Sequence, residues 1–126
     1  MKKEDFYTKP KADAGVKMPL TLSDGTDSGH WLMVRGTDSD AFRKARFHGA
    51  RAIRDLPEKM DEWDRAKGMD SVILDNLVSL VAGWSFEEPF TEEAVREFLT
   101  SAPHIADAVD RAASERSRFF GIASES

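Results

Sequence analysis

The sequence predicts an α+β domain that is mainly α: an N-terminal β-hairpin followed by a compact bundle of four to five helices. Two observations carry most of that prediction. Short strand-like runs at residues 16–22 and 30–35 flank Ser23-Asp-Gly-Thr-Asp-Ser-Gly29, a stretch of turn residues in which Asp24-Gly25 is a strong hairpin signal. From Ser39 onward, apolar residues recur at helical spacing, interrupted by a dense aromatic corner at residues 81–91.

Residues 1–15 mix lysines, acids, Pro10 and Gly15 without periodicity and read as a flexible arm. Its large apolar groups, Phe6 and Tyr7, suit either a docking motif or an arm tacked onto its own domain. In the hairpin, Leu20, Leu22, Trp31 and Met33 alternate as one buried face would, and Pro19 places the first strand at an edge because it lacks an N–H donor. A lone hairpin is marginal in water, so it must pack on the helices or on a partner.

Ser39 caps a helix running to about Leu56, with Phe42, Ala45, Gly49, Ala52, Ile53 and Leu56 on one face. Residues 60–82 give the longest helical pattern, with Trp63, Ala66, Ile73, Leu74, Leu77, Leu80 and Val81 on one side. Gly68 predicts a break or kink there, with Asp70 capping the second part. At the aromatic corner Gly83 offers a left-handed helix stop, and Trp84 would fold back on Leu80 and Val81. Phe86, Pro89 and Phe90 complete the corner. Thr91 caps the next helix, with Glu92 and Glu93 at its positive end, and Phe90 and Val95 have the spacing of a hydrophobic staple. That helix ends near Ser101. A last one starts at Pro103 and runs to about Phe120, with Ile105, Val109, Ala112, Ala113 and Phe120 as its apolar stripe. Of Phe119 and Phe120, one faces the core and the other is left for the surface. The organisation expected is thus an arm (1–15), one hairpin-plus-helical domain (16–120) and a disordered tail (121–126).

Composition narrows the function classes. At 126 residues, 40% hydrophobic and 33% charged, the chain suits one soluble globular domain. It has no cysteine, which excludes disulfides and thiolate metal sites. The N-terminal lysines have no apolar run behind them, so a secretory signal is not expected, and no apolar run approaches the roughly 20 residues that span a bilayer. A net charge of −5 argues against nucleic-acid binding.

Catalytic chemistry finds little support. His30, His48 and His104 lie in three different elements without metal-ligand spacing. The acids at 55–64 and 87–93 look like solvated helix starts rather than a catalytic pair. Neither a nucleophile elbow nor a glycine-rich phosphate loop is present. No enzyme, cofactor or metal is expected. The last two helices admit a helix-turn-helix test, but His104, Asp107 and Asp110 would stand where base contacts are made, and the acids would repel phosphates.

One charge pattern bears on partners. Arg43, Lys44, Arg46, Arg51 and Arg54 share the outer side of the first long helix with Phe47, and Asp55, Glu58, Asp61, Glu62 and Asp64 follow at once. This juxtaposition serves either intramolecular pairing between antiparallel helices or docking of a partner or second copy. An aromatic within the basic side points to docking, so Arg43, Phe47, Arg51 and Arg54 are the candidate partner-binding residues. The structural corner is Gly83, Trp84, Phe86, Pro89, Phe90 and Thr91.

Taken in order, Pro19-Leu20-Thr21-Leu22, His30-Trp31-Leu32-Met33-Val34-Arg35-Gly36, Asp38-Ser39-Asp40-Ala41-Phe42, Gly83-Trp84-Ser85-Phe86, Pro89-Phe90-Thr91-x-Glu93, Phe98-Leu99 and Ala102-Pro103-x-Ile105 resemble the tail assembly chaperones of long-tailed bacteriophages. The likeness covers roughly residues 16 to 120. It implies a protein that binds the tape measure protein in the host cytoplasm, keeps it soluble and helps recruit tail tube subunits, and that is absent from the mature virion. Neither nucleic acid nor membrane is then a partner. The alternatives are another small phage-encoded adaptor, or a DNA-binding regulator using the C-terminal helix pair.

Overall fold

The computed structural model describes residues 1–121. In order, a 3-10 turn (Lys3–Phe6), α1 (Lys9–Ala14), β1 (Val16–Thr21), β2 (Asp27–Val34), α2 (Asp40–Arg54), α3 (Glu62–Ser79), β3 (Val81–Trp84), α4 (Glu92–Ser101), α5 (Pro103–Ser114) and a second 3-10 turn (Arg116–Arg118) make up the chain. The class is α+β and mainly α, as the pattern of turn residues and helical periods predicts.

The hairpin forms around Gly25, which takes φ +89° while Leu22 and Thr26 close the turn through Leu22 N–H to Thr26 C=O at 2.8 Å. Asp24 Oδ1 accepts from the Thr26 backbone N–H and hydroxyl. Pro19 does lie on an edge strand, for the antiparallel order is β1-β2-β3.

The buried face differs from the expected one by a single residue in β2. Met18 and Leu20 point inward from β1, and the register pairs Met18 with Leu32, so Leu32 and Val34 are buried instead of Trp31 and Met33. Trp31 takes the outer face under the Lys17 ammonium, 4.7 Å from its ring centre. Leu22 lies past the bulge between Pro19 and Thr21 and is exposed.

A second correction concerns the corner. Gly83 is no left-handed helix stop, since its φ is not positive. Helix α3 ends at Ser79 with Leu80 as its cap, and Val81–Trp84 becomes a third strand paired to β2 at Leu32–Trp84, Met33–Gly83 and Val34–Val81. The free edge of β2 explains the switch. A β-branched and an aromatic residue beside unpaired backbone groups gain ladder hydrogen bonds that a frayed helix end would leave to water.

The core lies between the sheet and the helices: Met18, Leu20, Leu32, Val34, Leu80, Val81, Val95, Leu99, Ile105, Val109, Ala112 and Ala113. Thr91 caps α4 by accepting from Ala94 N–H at 3.0 Å, and Ser39, fully buried, caps α2 by accepting from Phe42 N–H at 3.3 Å. Trp84 stacks edge-on against Phe86, Phe90 and Phe98, and its indole N–H donates to Glu88 C=O at 2.9 Å, closing the corner around Pro89.

Three further differences follow from tertiary contacts. Helix α3 runs unbroken through Gly68, so Asp70 caps nothing; its start is capped by Asp61, which accepts from Trp63 N–H. A Cβ at Gly68 would stand 3.3 Å from Leu56 Cδ2, so the glycine makes room for the Leu56 side chain, just past the end of α2, rather than for a kink. Helix α5 stops at Ser114, because Glu115 turns out of the helix and lets Phe119 fold back into the interior against Gly36. Phe120 is left half-exposed. The stretch 1–15, expected as a flexible arm, contains α1 docked on the domain: Ala12 is buried, and Gly36 N–H donates to Ala12 C=O at 3.0 Å. Of the tail expected at 121–126, residues 122–126 lie outside the described residues, while Gly121 N–H donates to Tyr7 C=O.

Candidate functional site

Helices α2 and α3 form a hairpin whose inner contacts are made by small residues. A Cβ on Gly49 would stand 2.6 Å from Val72 Cγ1, and Gly68 faces Leu56. These two contacts, with sequence positions rising on one helix and falling on the other, make the pair antiparallel. The close approach at Gly49 leaves the wider positions on either side uncovered.

On one side of α2 lies a groove of about 770 Å³ lined by Arg43, Lys44, Arg46, Phe47, Ala50, Ile53, Val72 and Asn76. Phe47 is 60% exposed, an unusual position for a phenylalanine within one helix turn of so many cations. It meets His48 edge-on and carries the Arg51 guanidinium 5.9 Å from its ring centre. On the α3 wall, the Asn76 carboxamide oxygen is out of solvent without a hydrogen-bond donor. Next to that wall Met69 and Ile73 are exposed, and Trp63 stands at the start of the helix at 68% exposure. The apolar stripe expected to be buried on α3 is thus bare over its first half; Leu74 and Leu77 reach the core, and Leu80, just past the helix end, is buried in it.

The proposed partner residues do not all stand in one place. Arg43 and Phe47 line the groove, Arg51 covers Phe47 from above, and Arg54 is exposed on the same helix without lining it. Sequence reasoning missed the α3 wall, Val72 and Asn76, and also Ile53 and Arg46 as part of the same groove. The available signal was width: apolar residues on α3 occupy more of the helix circumference than one packed neighbour can cover.

The electrostatics of α2 are one-sided. Among the described residues, Arg43 reaches a carboxylate only at Asp40, 3.9 Å away, and Lys44, Arg46, Arg51 and Arg54 form no ion pair. The acids at 55–64 do not turn back onto them; Asp64 pairs with Lys67, while Arg65 donates to Pro57 C=O. Of the two uses the charge juxtaposition admits, intramolecular pairing is therefore not made.

On the other side of α2 is a slightly smaller, more enclosed space of about 660 Å³ between Ala45, Gly49 and Ala52 and the residues Val78, Phe90 and Val95. Asp75 pairs there with Arg96, tying α3 to α4. The shifted carboxylates belong to structural contacts. Hydrogen bonds from Lys9 and from the Asp40 backbone hold Asp13 below the usual carboxylate range, and the bidentate Arg116 guanidinium, at 2.7 and 2.8 Å, does the same for Asp38. No group of three or more histidine or acidic residues that could hold a metal occurs among the described residues. His30 rests against Phe86, with Nδ1 3.0 Å from Ser85 Oγ.

Across most of this fold the sequence matches a family of described role. The model of the family called phage tail assembly chaperone matches residues 1–117. The chain belongs to the phage tail assembly chaperone family. No curated protein and no solved structure matches it. The matched span includes α2, α3 and the groove between them, and it extends through the N-terminal α1. No described helix of this chaperone is long and apolar enough to cross a membrane.

Proposed function

We propose that this chaperone binds the tape measure protein of its phage through the α2–α3 groove, keeps it soluble, and helps recruit tail tube subunits during tail morphogenesis. It works in the host cytoplasm, without catalysis or cofactor, and is left out of the mature virion. The observation that carries the reading is the uncovered, apolar-floored groove with Phe47 at its rim, on a chain whose family assembles phage tails. A long helical protein with exposed apolar stripes needs reversible cover until its proper partners arrive, and a helix-in-groove contact supplies it.

The test is co-expression with the tape measure protein of the same phage, followed by pull-down and a solubility assay. Fixed-stoichiometry co-elution is expected, weakened about tenfold or more by Phe47→Ala, as for an exposed aromatic side chain that a partner covers on binding. A tape measure protein that aggregates untouched beside the folded chain would refute it. A DNA-binding role through α4 and α5 is disfavoured, because α5 turns Ile105, Val109, Ala112 and Ala113 into the core and shows solvent Asp107 and Asp110.

A further inference from the structure

The groove also defines the chemistry of what lies in it. We infer that its occupant is an amphipathic helix whose apolar stripe is flanked by carboxylates. The inference rests on the groove being the docking face, and it deepens that reading by naming the ligand.

A helix is required by the lining. Both walls are helices whose own backbone groups are bonded internally, so the groove offers side chains and no free strand edge. An extended peptide would enter with its N–H and C=O groups unpaired against an apolar floor, whereas a helix arrives with them satisfied. From Arg43 to Ile53 the groove side of α2 runs about 15 Å at 1.5 Å per residue, or about three turns of a partner helix. Ala50, Ile53 and Val72 form the floor for its apolar stripe, and Phe47 the raised edge beside it.

Carboxylate flanks are required by the charge. Residues 40–54 carry Arg43, Lys44, Arg46, Arg51 and Arg54 against Asp40 alone, in a chain of net charge −5. Asp40 is itself held by Lys9 at 2.9 Å. Arg43 reaches Asp40 only at 3.9 Å, and Lys44, Arg46, Arg51 and Arg54 have no internal carboxylate among the described residues, so their charge is available to a partner. The α3 wall at Val72 and Asn76 is uncharged, so the acidic edge of the occupant faces α2. A lysine-flanked helix would instead set like charges side by side.

The experiment titrates the full-length chain with two labelled model helices of about 18 residues, about five turns. Both have the same leucine stripe, one flanked by glutamates and the other by lysines, and binding is read by fluorescence anisotropy. The glutamate peptide is expected to bind at least about tenfold more tightly at low salt, with the difference shrinking as the Debye length falls toward about 3 Å at 1 M salt. The double variant Arg43→Glu, Arg46→Glu should reverse the preference, and its circular dichroism and melting should match the parent chain. Phe47→Ala should weaken both peptides.

Equal binding of the two peptides, tighter binding of the lysine peptide, or no binding of either would overturn the inference. So would a salt-sensitive dimer of the chain alone that the charge-reversed pair abolishes, since a second copy would then own the groove. If the tape measure protein co-elutes equally well with the charge-reversed variant, this inference fails and the chaperone reading survives. If the peptides discriminate but the tape measure protein is not retained, the ligand chemistry stands and its source is another protein.

Discussion

Helix α5 and the α2–α3 hairpin are built from similar proportions of apolar residues, yet they use them differently. The twelve residues of α5 bury Ile105, Val109, Ala112 and Ala113 against the sheet. The fifteen residues of α2 and eighteen of α3 bury only Gly49 and Val72. Phe47, Trp63, Met69 and Ile73 are left in solvent. A region that exists to hold a fold together would not keep its large apolar groups outside. Most of the buried core thus lies in the sheet with α4 and α5; the hairpin adds Phe42, Leu74, Leu77 and Val78 to its edge and presents the rest as surface.

Substitutions can sharpen that contrast. The largest loss of stability is expected in the body. Leu32→Ala removes a completely buried side chain at the centre of the sheet and should cost about 2–5 kcal/mol, read from urea unfolding. A loss under about 0.5 kcal/mol, the range of a surface change, would mean that the core lies elsewhere.

Gly49→Ala comes next. Alanine favours a helix over glycine by about 1 kcal/mol, but here its Cβ would meet Val72 Cγ1 at 2.6 Å, and a β-branched side chain in a helix has no easy rotamer to retreat to. Overpacking of this kind costs about 1–3 kcal/mol, so a net destabilisation is expected, partly relieved by Val72→Ala in the double variant. A Gly49→Ala chain more stable than its parent would show that α2 and α3 can separate freely.

Phe47→Ala sits at the small end for folding, within about 0.5 kcal/mol of the parent, while binding falls. A fall of several kcal/mol in stability would make Phe47 a core residue and erase the difference between the two regions.

The smallest effect belongs to the ion pair joining Asp38 to Arg116, which anchors the turn after α5. The guanidinium lowers the Asp38 pKa, so the folded carboxylate is more acidic than the unfolded one. Its stabilisation is therefore complete above the ordinary value of 3.8 and is lost as pH falls through the depressed one. Melting temperatures of the parent and Asp38→Asn should differ slightly at neutral pH and converge in acid. Divergence on acidification would reverse the assigned sign.

Much of the body was legible because local chemistry and tertiary packing agree there. Ser39 and Thr91 cap helices, Pro103 opens one, Pro19 marks an edge, and Asp24-Gly25 turns the hairpin. The misreadings fall where a distant partner decides. Gly83 reads locally as a helix stop, but the edge of β2 draws residues 81–84 into a strand. The phase of β2 is set by pairing with Met18 rather than by its own alternation. The end of α5 is set by Phe119 seeking the space beside Gly36. Of the groove, Phe47 and its arginines could be found on a helical wheel, whereas on α3 the wide apolar spread shows only that some of it stays uncovered, since periodicity does not say which part the fold covers.

The proposed function requires that the hairpin, not the body, meet the partner. Hydrogen–deuterium exchange of the free chain and of its complex with the tape measure protein tests it most directly. New protection is expected across α2 and α3, centred on residues 43–54 and 69–76, with the sheet and α5 unchanged. Protection confined to β1, β2 or α5, with the hairpin exchanging as in the free chain, would contradict it.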